Sequence, residues 1–202
     1  IKFENEMNCL NDHDITLGMD NINGSVQYLS QTIDDFRNFF KPNKTKTNFN
    51  ILDALENTIK LMGSQFKNNN IELIKNINNA ELYGYYNELL QVLINILKNA
   101  KDELIKLDTN KRRIIFIDTY TDKSNLIIKI RDNANGIPSD IIEKIFDPYF
   151  TTKENDEGTG IGLYMCKQII DGMTVKIQVI NVEYEYEAQI YYGAEFIISM
   201  DK

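Results

Sequence analysis

Hydrophobic residues recur at helical spacing along much of the chain, most clearly in residues 87–102. On a helix that turns about 100° per residue, one side is apolar and contains Leu90, Leu93, Ile94, Leu97, Ala100 and Leu104. The opposite side contains Gln91, Asn95, Asn99 and Asp102. A solvated face would favour Lys, Glu and Gln, whereas Asn is a mediocre helix former. The pattern predicts an amphipathic helix whose polar side either faces solvent or binds a ligand.

The other periodicities predict an α+β fold after residue 46. Helical spacing recurs in residues 49–66 and 161–170, and Ser139 is predicted to cap a short helix over 140–145. Alternating or β-rich runs predict strands at 71–77, 82–86, 113–120, 126–130, 175–182 and 189–200. Residues 121–124 suit a hairpin turn, and residues 152–160 predict a mobile loop. Mostly hairpin-linked strands favour a two-layer α/β sandwich, with a mixed sheet and helices on one face.

The first 41 residues predict a helical hairpin. Apolar spacing ends at Leu10, residues 11–20 break it, and a heptad seam follows at Ile22, Val26, Leu29, Ile33, Phe36 and Phe40. Such a seam predicts a homodimer through these N-terminal helices, as a four-helix bundle; an intramolecular bundle with helices upstream is the alternative. Pro42 ends the helix, so residues 42–46 are predicted to be a linker and 47–202 a second domain.

Composition excludes several classes of protein. Among 202 residues, 30 are acidic and 22 basic, which argues against a nucleic-acid partner held by phosphate contacts. Cys9 and Cys166 lie far apart, without the spacing of a zinc site or a disulfide framework. No apolar run approaches about 18 residues, so we expect a cytoplasmic chain with no membrane contact of its own. The start at Ile1, without Met, predicts a fragment of a longer protein.

Three further stretches have residues suited to nucleotide chemistry. Residues 132–136 follow a predicted strand, so the Asp132 carboxylate could accept a hydrogen bond from an exocyclic amine while Gly136 allows close approach; an ordinary turn has the same composition. Residues 145–150 are aromatic and contain Pro, as in a packed corner or a hinge. Residues 158–163 open a helix whose free N–H groups could receive a phosphate. Leu163 excludes the dinucleotide fingerprint, and Gly-Lys-Ser/Thr is absent.

In order and spacing, the four segments resemble the N, G1, F and G2 boxes of the histidine-kinase ATP-binding domain. This domain belongs to the superfamily of gyrase, Hsp90 and MutL ATPases, and the resemblance spans residues 47–200. Asn95 and Asn99 match the N box. The other matching positions are Asp132 and Gly136 in the G1 box, Phe146 and Phe150 in the F box, and Gly158, Gly160 and Gly162 in the G2 box. The hairpin before Pro42 resembles the end of the dimerisation and phosphotransfer bundle of sensor histidine kinases.

The resemblance implies a Bergerat-type fold that binds ATP with Mg²⁺. It implies that Asn99, with Asn95 one turn away, holds Mg²⁺ against the phosphates, and that both serve catalysis; amide oxygens suit this ion. Asp132 would accept from the adenine amino group. The further cofactor-binding residues implied are Asp102, Gly136, Ile137, Phe150, Thr151, Thr152, Lys153, Gly158, Thr159, Gly160, Ile161, Gly162 and Leu163.

The implied activity is transfer of the γ-phosphate of ATP to a histidine on the dimerisation bundle. The implied partner is the receiver domain of a response regulator, and the parent protein would be anchored in the cell membrane. The alternatives are a non-kinase ATPase of the same superfamily that switches dimer contacts, and a degenerate scaffold that binds no nucleotide.

Four positions depart from the family pattern. The resemblance implies that residues 151–159 form a lid over the phosphates. Asp102 stands where many members have a basic residue, so Mg²⁺, Lys98, Lys101 or this lid must neutralise the phosphates. Ala134 stands where Gly is common, which is tolerated unless the position needs positive φ. Asn95 replaces the Glu that activates water in the ATP-hydrolysing relatives, and because an amide is no general base, transfer is favoured over hydrolysis.

The phosphoacceptor is the fourth departure. The only histidine, His13, lies in the predicted hairpin loop and lacks the motif that follows the family's acceptor histidine. We therefore expect the acceptor to lie upstream of Ile1.

Overall fold

The computed structural model of the chain describes residues 45–122, 125–153, 158–173 and 175–201, together with Met19 and Val26. These two single residues are helical and exposed. The rest of the predicted N-terminal hairpin, including His13, lies outside the described residues. The chain divides into one compact unit of residues 42–150 and 160–202, and another of residues 1–41 and 151–159. The linker at 42–46 stays a prediction.

Strand β1, Thr47–Asn50, precedes helix α1, Ile51–Asn68. The prediction that the helix includes Phe49 was wrong, because Phe49 pairs with Leu82 in the antiparallel ladder between β1 and β3, Glu81–Gly84. The Asn50 side chain accepts a hydrogen bond from Leu52 N at 2.8 Å, which satisfies a free amide of the first turn and begins the helix there.

Helix α2, Tyr86–Leu104, confirms the predicted amphipathic helix. Its buried residues are Leu89, Val92, Leu93, Ile96, Leu97, Ala100 and Leu104. The apolar stripe is therefore rotated from the predicted one, and Leu90 and Ile94 are half-buried at its margin. The reason is that α2 packs against α1, β4, β5 and α3, which together cover a broader sector than the sheet alone. The predicted strand at 82–86 is β3, and it stops at Gly84 because α2 begins at Tyr86.

A five-stranded mixed sheet forms the second layer. Its strands are β2 (Ile71–Ile77), β4 (Arg113–Asp122), β5 (Asn125–Asp132), β6 (Val175–Tyr186) and β7 (Gln189–Asp201), in the order β2-β4-β5-β7-β6. β2 and β4 are parallel, and the other neighbours are antiparallel. Helix α3, Gly162–Asp171, contacts β6, while α1 contacts β2. The predicted α+β class and mixed sheet are confirmed.

The predicted helix over 140–145 was wrong, because this segment is a succession of turns. Ile142 N bonds to Pro138 O at 3.1 Å with the separation of an α-helix, whereas Lys144 N and Asp147 N bond three residues back, at 2.8 and 2.9 Å. A segment this short gains too few bonds to offset the entropy of helix nucleation. The residues of the predicted loop that are described, 152–153 and 158–160, lie in neither helix nor strand.

The hairpin of β6 and β7 is longer than predicted. β6 continues to Tyr186 instead of ending at residue 182, and β5 pairs with β7 only as far as the Arg131–Glu195 pair. The distal half of the hairpin therefore runs past β5. Tyr184 and Tyr186 pack edge-on against Phe116, with ring centroids 5.3 and 5.0 Å away, which explains why apolar and aromatic residues continue beyond the predicted strand.

Candidate functional site

Asp132, the last residue of β5, is a buried carboxylate with 5% of its surface exposed. Its Oδ1 accepts hydrogen bonds from Ala134 N at 2.9 Å and from Ala194 N at 3.3 Å. Burial raises the pKa of Asp132 to about 6, and the negative charge of Glu103 adds to this, although the two amide bonds act in the opposite direction. Both of these amides bond to Oδ1, so Oδ2 is the oxygen that can accept a hydrogen bond from a ligand.

Asn133 continues the pairing of β5 with β4 by means of its side chain. Its Oδ1 accepts from Ile114 N at 2.8 Å and its Nδ2 donates to Arg112 O at 2.9 Å, so one amide replaces a residue of the ladder. The chain then turns at Asn135 and Gly136, whose φ angles are +66° and +71°. Ala134 has no positive φ, so alanine fits where the family often has glycine.

Gly136 is needed for close approach as well as for its φ. A Cβ at this position would lie 2.6 Å from Asn181 Oδ1 and 2.9 Å from Tyr192 Cε1. Asn181 also bonds both backbone groups of Ile137: its Oδ1 accepts from the amide at 2.8 Å and its Nδ2 donates to the carbonyl at 2.7 Å. The backbone of residues 132–137, hereafter the G1 turn, is thus held from β4 on one side and from the β6–β7 hairpin on the other.

The N-box side of α2 meets the start of α3. Asn95 Nδ2 donates to Gly162 O at 3.4 Å, and a Cβ on Gly162 would lie 3.7 Å from Asn95 Oδ1. Helix α3 has Ile161 as its N-cap and no side-chain cap bond, so its first amides point away from the helix without an intrahelical acceptor. Cys166, one turn into α3, is completely buried, and burial raises its pKa to about 12.

Asn99 and Asp102 lie further along the same side of α2 and are half-buried. The ammonium of Lys101 is 2.9 Å from Asp102 Oδ1 and 3.3 Å from Gln65 Oε1. Lys98 is exposed. The carboxylate at the position of the family's basic residue therefore has a lysine beside it, and which group neutralises the phosphates stays a prediction.

The F-box residues Phe146 and Phe150 are half-buried, and Tyr149 between them is exposed with a φ of +64°. Gly160 lies directly on this tyrosine: a Cβ there would be 2.6 Å from Tyr149 O and 2.7 Å from its Cα. With its own φ of +62°, Gly160 is a position that only glycine fills without displacing the main chain. Ile161, Gly162 and Leu163 follow, all half-buried.

The predicted lid residues Thr151, Thr152, Lys153, Gly158 and Thr159 belong to the other compact unit. Within it, Lys153 N donates to Thr151 Oγ1 at 3.1 Å, and a Cβ on Gly158 would lie 2.6 Å from that same oxygen. The predicted site residues that the structure brings together in one unit are therefore Asn95, Asn99, Asp102, Asp132, Gly136, Ile137, Phe150, Gly160, Ile161, Gly162 and Leu163.

The donor set of this unit fits a magnesium ion shared with phosphate. The amides of Asn95 and Asn99 are one turn apart on α2, and neutral oxygens of this kind are ligands that Mg²⁺ accepts alongside phosphate and water. The described residues contain no group of three or more His, Cys, Asp or Glu that could hold a metal ion.

Sequence reasoning missed several residues that build the site. Asn181, Tyr184 and Gly193 contact the G1 turn from the β6–β7 hairpin, and none of them belongs to a family box. The tyrosine hydroxyl donates to Asp132 O at 3.0 Å. The isolated Gly193 inside a predicted strand was a usable signal, because such a glycine often marks close approach of another backbone.

The fold and the site together define an ATPase domain of the histidine-kinase type. Residues 84–202 match the family model of histidine kinase-, DNA gyrase B- and HSP90-like ATPases. Because this match covers more than half of the chain, the protein belongs to that family, as the resemblance predicted. Within the family it has the catalytic domain of a two-component sensor histidine kinase.

Similar proteins agree with this assignment. The chain is 32% identical over 178 residues to the signal transduction histidine-protein kinase AtoS of Escherichia coli (strain K12), covering 86% of this chain and 27% of AtoS. It superposes on the catalytic domain of histidine kinase ThkA with a TM-score of 0.64 and 26% identity, over 78% of this chain and 96% of that one. A structure of ThkA in complex with the response regulator protein TrrA has a TM-score of 0.64 at 19% identity, over 98% of this chain and 52% of that one, which shows the fold alone.

The chain spans about a quarter of the length of curated relatives that it matches, with shares of 22%, 22% and 27% for three of them. No helix in the described part of the chain has the length and apolarity to cross a membrane.

Proposed function

We propose that this domain binds Mg-ATP and transfers the γ-phosphate to a histidine on the dimerisation bundle, for relay to the receiver domain of a response regulator. The observation that carries the proposal is the contact of Asn95 with Gly162, at 3.4 Å, which puts the amide side of α2 beside the uncapped start of α3. Amide oxygens and free helix amides are both suited to phosphate and its metal.

The base end of the nucleotide would lie at Asp132. A buried carboxylate is costly unless it is paired, and the bonds to its Oδ1 compensate only part of the desolvation. The adenine amino group would supply a further donor to Oδ2. Helix α2 connects the adenine end of the proposed site, at the end of β5, to the phosphate end, at the start of α3, because it contacts both elements.

In the proposed reaction an imidazole nitrogen of the acceptor histidine attacks the γ-phosphorus. The bond from that phosphorus to the β,γ-bridging oxygen breaks, and ADP leaves with the electron pair. Mg²⁺ bound with the nucleotide would neutralise the phosphate charge. Asn99 and Asn95 orient the phosphates, and the first amides of α3 receive them. Asn95 cannot deprotonate water, which favours transfer over hydrolysis.

Thermal unfolding with and without Mg-ATP tests nucleotide binding. Near 100 times Kd, we expect a rise in Tm of about 5–10 °C for the unchanged protein. Asn99→Ala is expected to lose most of this rise. Asn87→Ala is the matched control, because Asn87 is an exposed asparagine of the same helix, and it should respond like the unchanged protein. Equal rises in all three proteins would contradict the proposed metal site.

A second measurement separates transfer from hydrolysis. The full-length parent protein with γ-labelled ATP is expected to carry the label on a histidine, as an acid-labile phosphoramidate. Release of free phosphate over many turnovers, without labelled protein, would instead support a non-kinase ATPase that switches dimer contacts.

A further inference from the structure

The distal β6–β7 hairpin makes hydrogen bonds to the G1 turn at Asp132, Asn135 and Ile137. These contacts come from two side chains, Asn181 and Tyr184, and from the main chain of residues 192–194. The contacting residues lie where the hairpin runs past the last residue pair of β5 and β7. The hairpin extension is therefore placed to act on the turn directly.

Asn181 fixes the end of the turn. It is the strand partner of Ala194, and its amide makes two short hydrogen bonds with the backbone of Ile137, at 2.8 and 2.7 Å. Two hydrogen bonds from one planar amide fix the orientation of the Ile137 backbone as well as its distance from the hairpin. The Oδ1 of the same side chain lies only 2.6 Å from where a Cβ of Gly136 would be, so the turn has little room to shift toward the hairpin.

Tyr184 fixes the beginning of the turn. Its hydroxyl donates to the backbone carbonyl of Asp132 at 3.0 Å. The ring is held in place, because the guanidinium of Arg131 lies 4.1 Å from its centroid and Tyr191 stacks on it at 5.9 Å. A ring held on two sides transmits the position of the hairpin to the peptide that carries the Asp132 side chain.

The main chain of β7 completes the arrangement. Ala194 N donates to Asp132 Oδ1 at 3.3 Å, and Tyr192 O accepts from Asn135 N at 3.1 Å. The hairpin thus bonds the Asp132 carboxylate itself, the peptide carrying it, the middle of the turn and its end.

We propose that Asn181 and Tyr184 are positioning residues for base recognition: they hold the G1 turn so that Asp132 Oδ2 meets the exocyclic amino group of the purine. This inference rests on the proposed function, in which the domain binds ATP. Recognition of a single amino group depends on the placement of one oxygen, and a turn that is free to move by a fraction of an ångström weakens that bond more than it weakens contacts to the phosphates.

The test compares ATP with inosine triphosphate, which has a carbonyl oxygen where adenine has the amino group. Affinities of both, with Mg²⁺, are measured by calorimetry for the unchanged protein, Asn181→Ala and Tyr184→Phe. Tyr191→Phe is the matched control, because it removes a hydroxyl from the strand partner of Tyr184, one that donates to Gln189 Oε1 at 2.8 Å and not to the turn.

We expect the preference for ATP over inosine triphosphate to fall about two- to tenfold in each positioning variant, which is the effect of weakening, without abolishing, one hydrogen bond to a charged carboxylate. Tyr191→Phe should keep the preference of the unchanged protein. Amide hydrogen exchange of residues 134–137 in the protein without nucleotide should become faster in Asn181→Ala and Tyr184→Phe only. If Asn181→Ala does not fold, Asn181→Asp replaces it, since it keeps the acceptor for Ile137 N and loses the donor to Ile137 O.

The outcomes separate the two proposals. Absence of ATP binding by the unchanged, folded protein would overturn the proposed function and this assignment with it. ATP binding with an unchanged preference in both variants would overturn the positioning role alone. An equal loss of affinity for ATP and for inosine triphosphate would also overturn the positioning role, because the variants would then affect the whole site and not recognition of the base.

Discussion

The Cα of Gly193 lies against the backbone carbonyl of Asp132, so closely that a Cβ at Gly193 would overlap that oxygen and come 2.9 Å from Asp132 Oδ1. This approach is what allows the next amide of β7, that of Ala194, to reach the carboxylate. The glycine is therefore a structural requirement of the candidate nucleotide site, although it is distant in sequence from every family box.

Gly193→Ala should destabilise the domain and impair the site together. The added methyl must displace either the end of β5 or strand β7, and we expect the free energy of unfolding to fall by about 2 kcal/mol or more. Urea unfolding measures this. Gly63→Ala is the control, since a Cβ there meets nothing within 4 Å in helix α1; it should stabilise by about 0.5–1 kcal/mol. Similar midpoints for the two variants would contradict the described approach of β7 to Asp132.

Recognition of the base should depend on pH through Asp132. Its pKa is raised to about 6, so the carboxylate is ionised and able to accept at pH 7.5, and it becomes protonated as the pH falls toward 5. The phosphates of a nucleotide also titrate in this range. The ratio of the affinities for ATP and inosine triphosphate removes that contribution, and we expect this ratio to fall as the pH is lowered through about 6. A ratio constant from pH 5 to 7.5 would be inconsistent with the acceptor role.

Asp132→Asn should stabilise the protein without nucleotide while weakening its response to ATP. The folded-state pKa lies above the ordinary value of 3.8, so the carboxyl is most favourable to folding below about pH 4, and this contribution is lost as the pH rises through 6. At pH 7.5 the buried charge therefore costs stability. Replacing it with a neutral amide should raise the free energy of unfolding by about 1–3 kcal/mol.

Thermal unfolding at pH 7.5 and at pH 4.5 checks this second effect of Asp132. The gain from Asp132→Asn should be largest at pH 7.5 and smaller at pH 4.5, where the native carboxyl is already protonated. If the stability gained by Asp132→Asn does not change with pH, the charge of the buried carboxylate is not the cause of that gain.

Asp102→Asn should strengthen nucleotide binding. Removing this negative charge leaves Lys101, now 2.9 Å from the carboxylate, to act on the phosphates. We expect the affinity for ATP to rise about two- to fivefold at low salt and less at 0.5 M salt, because salt screens such interactions. Asp108→Asn makes the same change of charge on an exposed loop residue and should have little effect. Calorimetry at the two salt concentrations measures both.

Local patterns were enough to predict much of this domain. The period of α2 and the alternation in β2, β4 and β5 depend on which residues face a core, and the structure has these elements within a few residues of the predicted bounds. The errors at Phe49 and at the end of β6 arose because the competing interaction is distant in sequence. Phe49 pairs with Leu82, and residues 183–186 extend β6 because their tyrosines find Phe116 on a strand of the central sheet.

For the candidate site too, some features follow from the local sequence and others only from the tertiary structure. The chemistry of the side chains and their order along the chain determined the family, the α+β class and the positions of Asn95, Asn99 and Asp132, because a polar stripe on a helix and a carboxylate at a strand end are local features. Only the tertiary structure decided what holds them. Asn181, Tyr184 and Gly193 reach the G1 turn from strands about 40 to 60 residues away in sequence, and the burial that raises the pKa of Asp132 exists only once β7 lies beside β5.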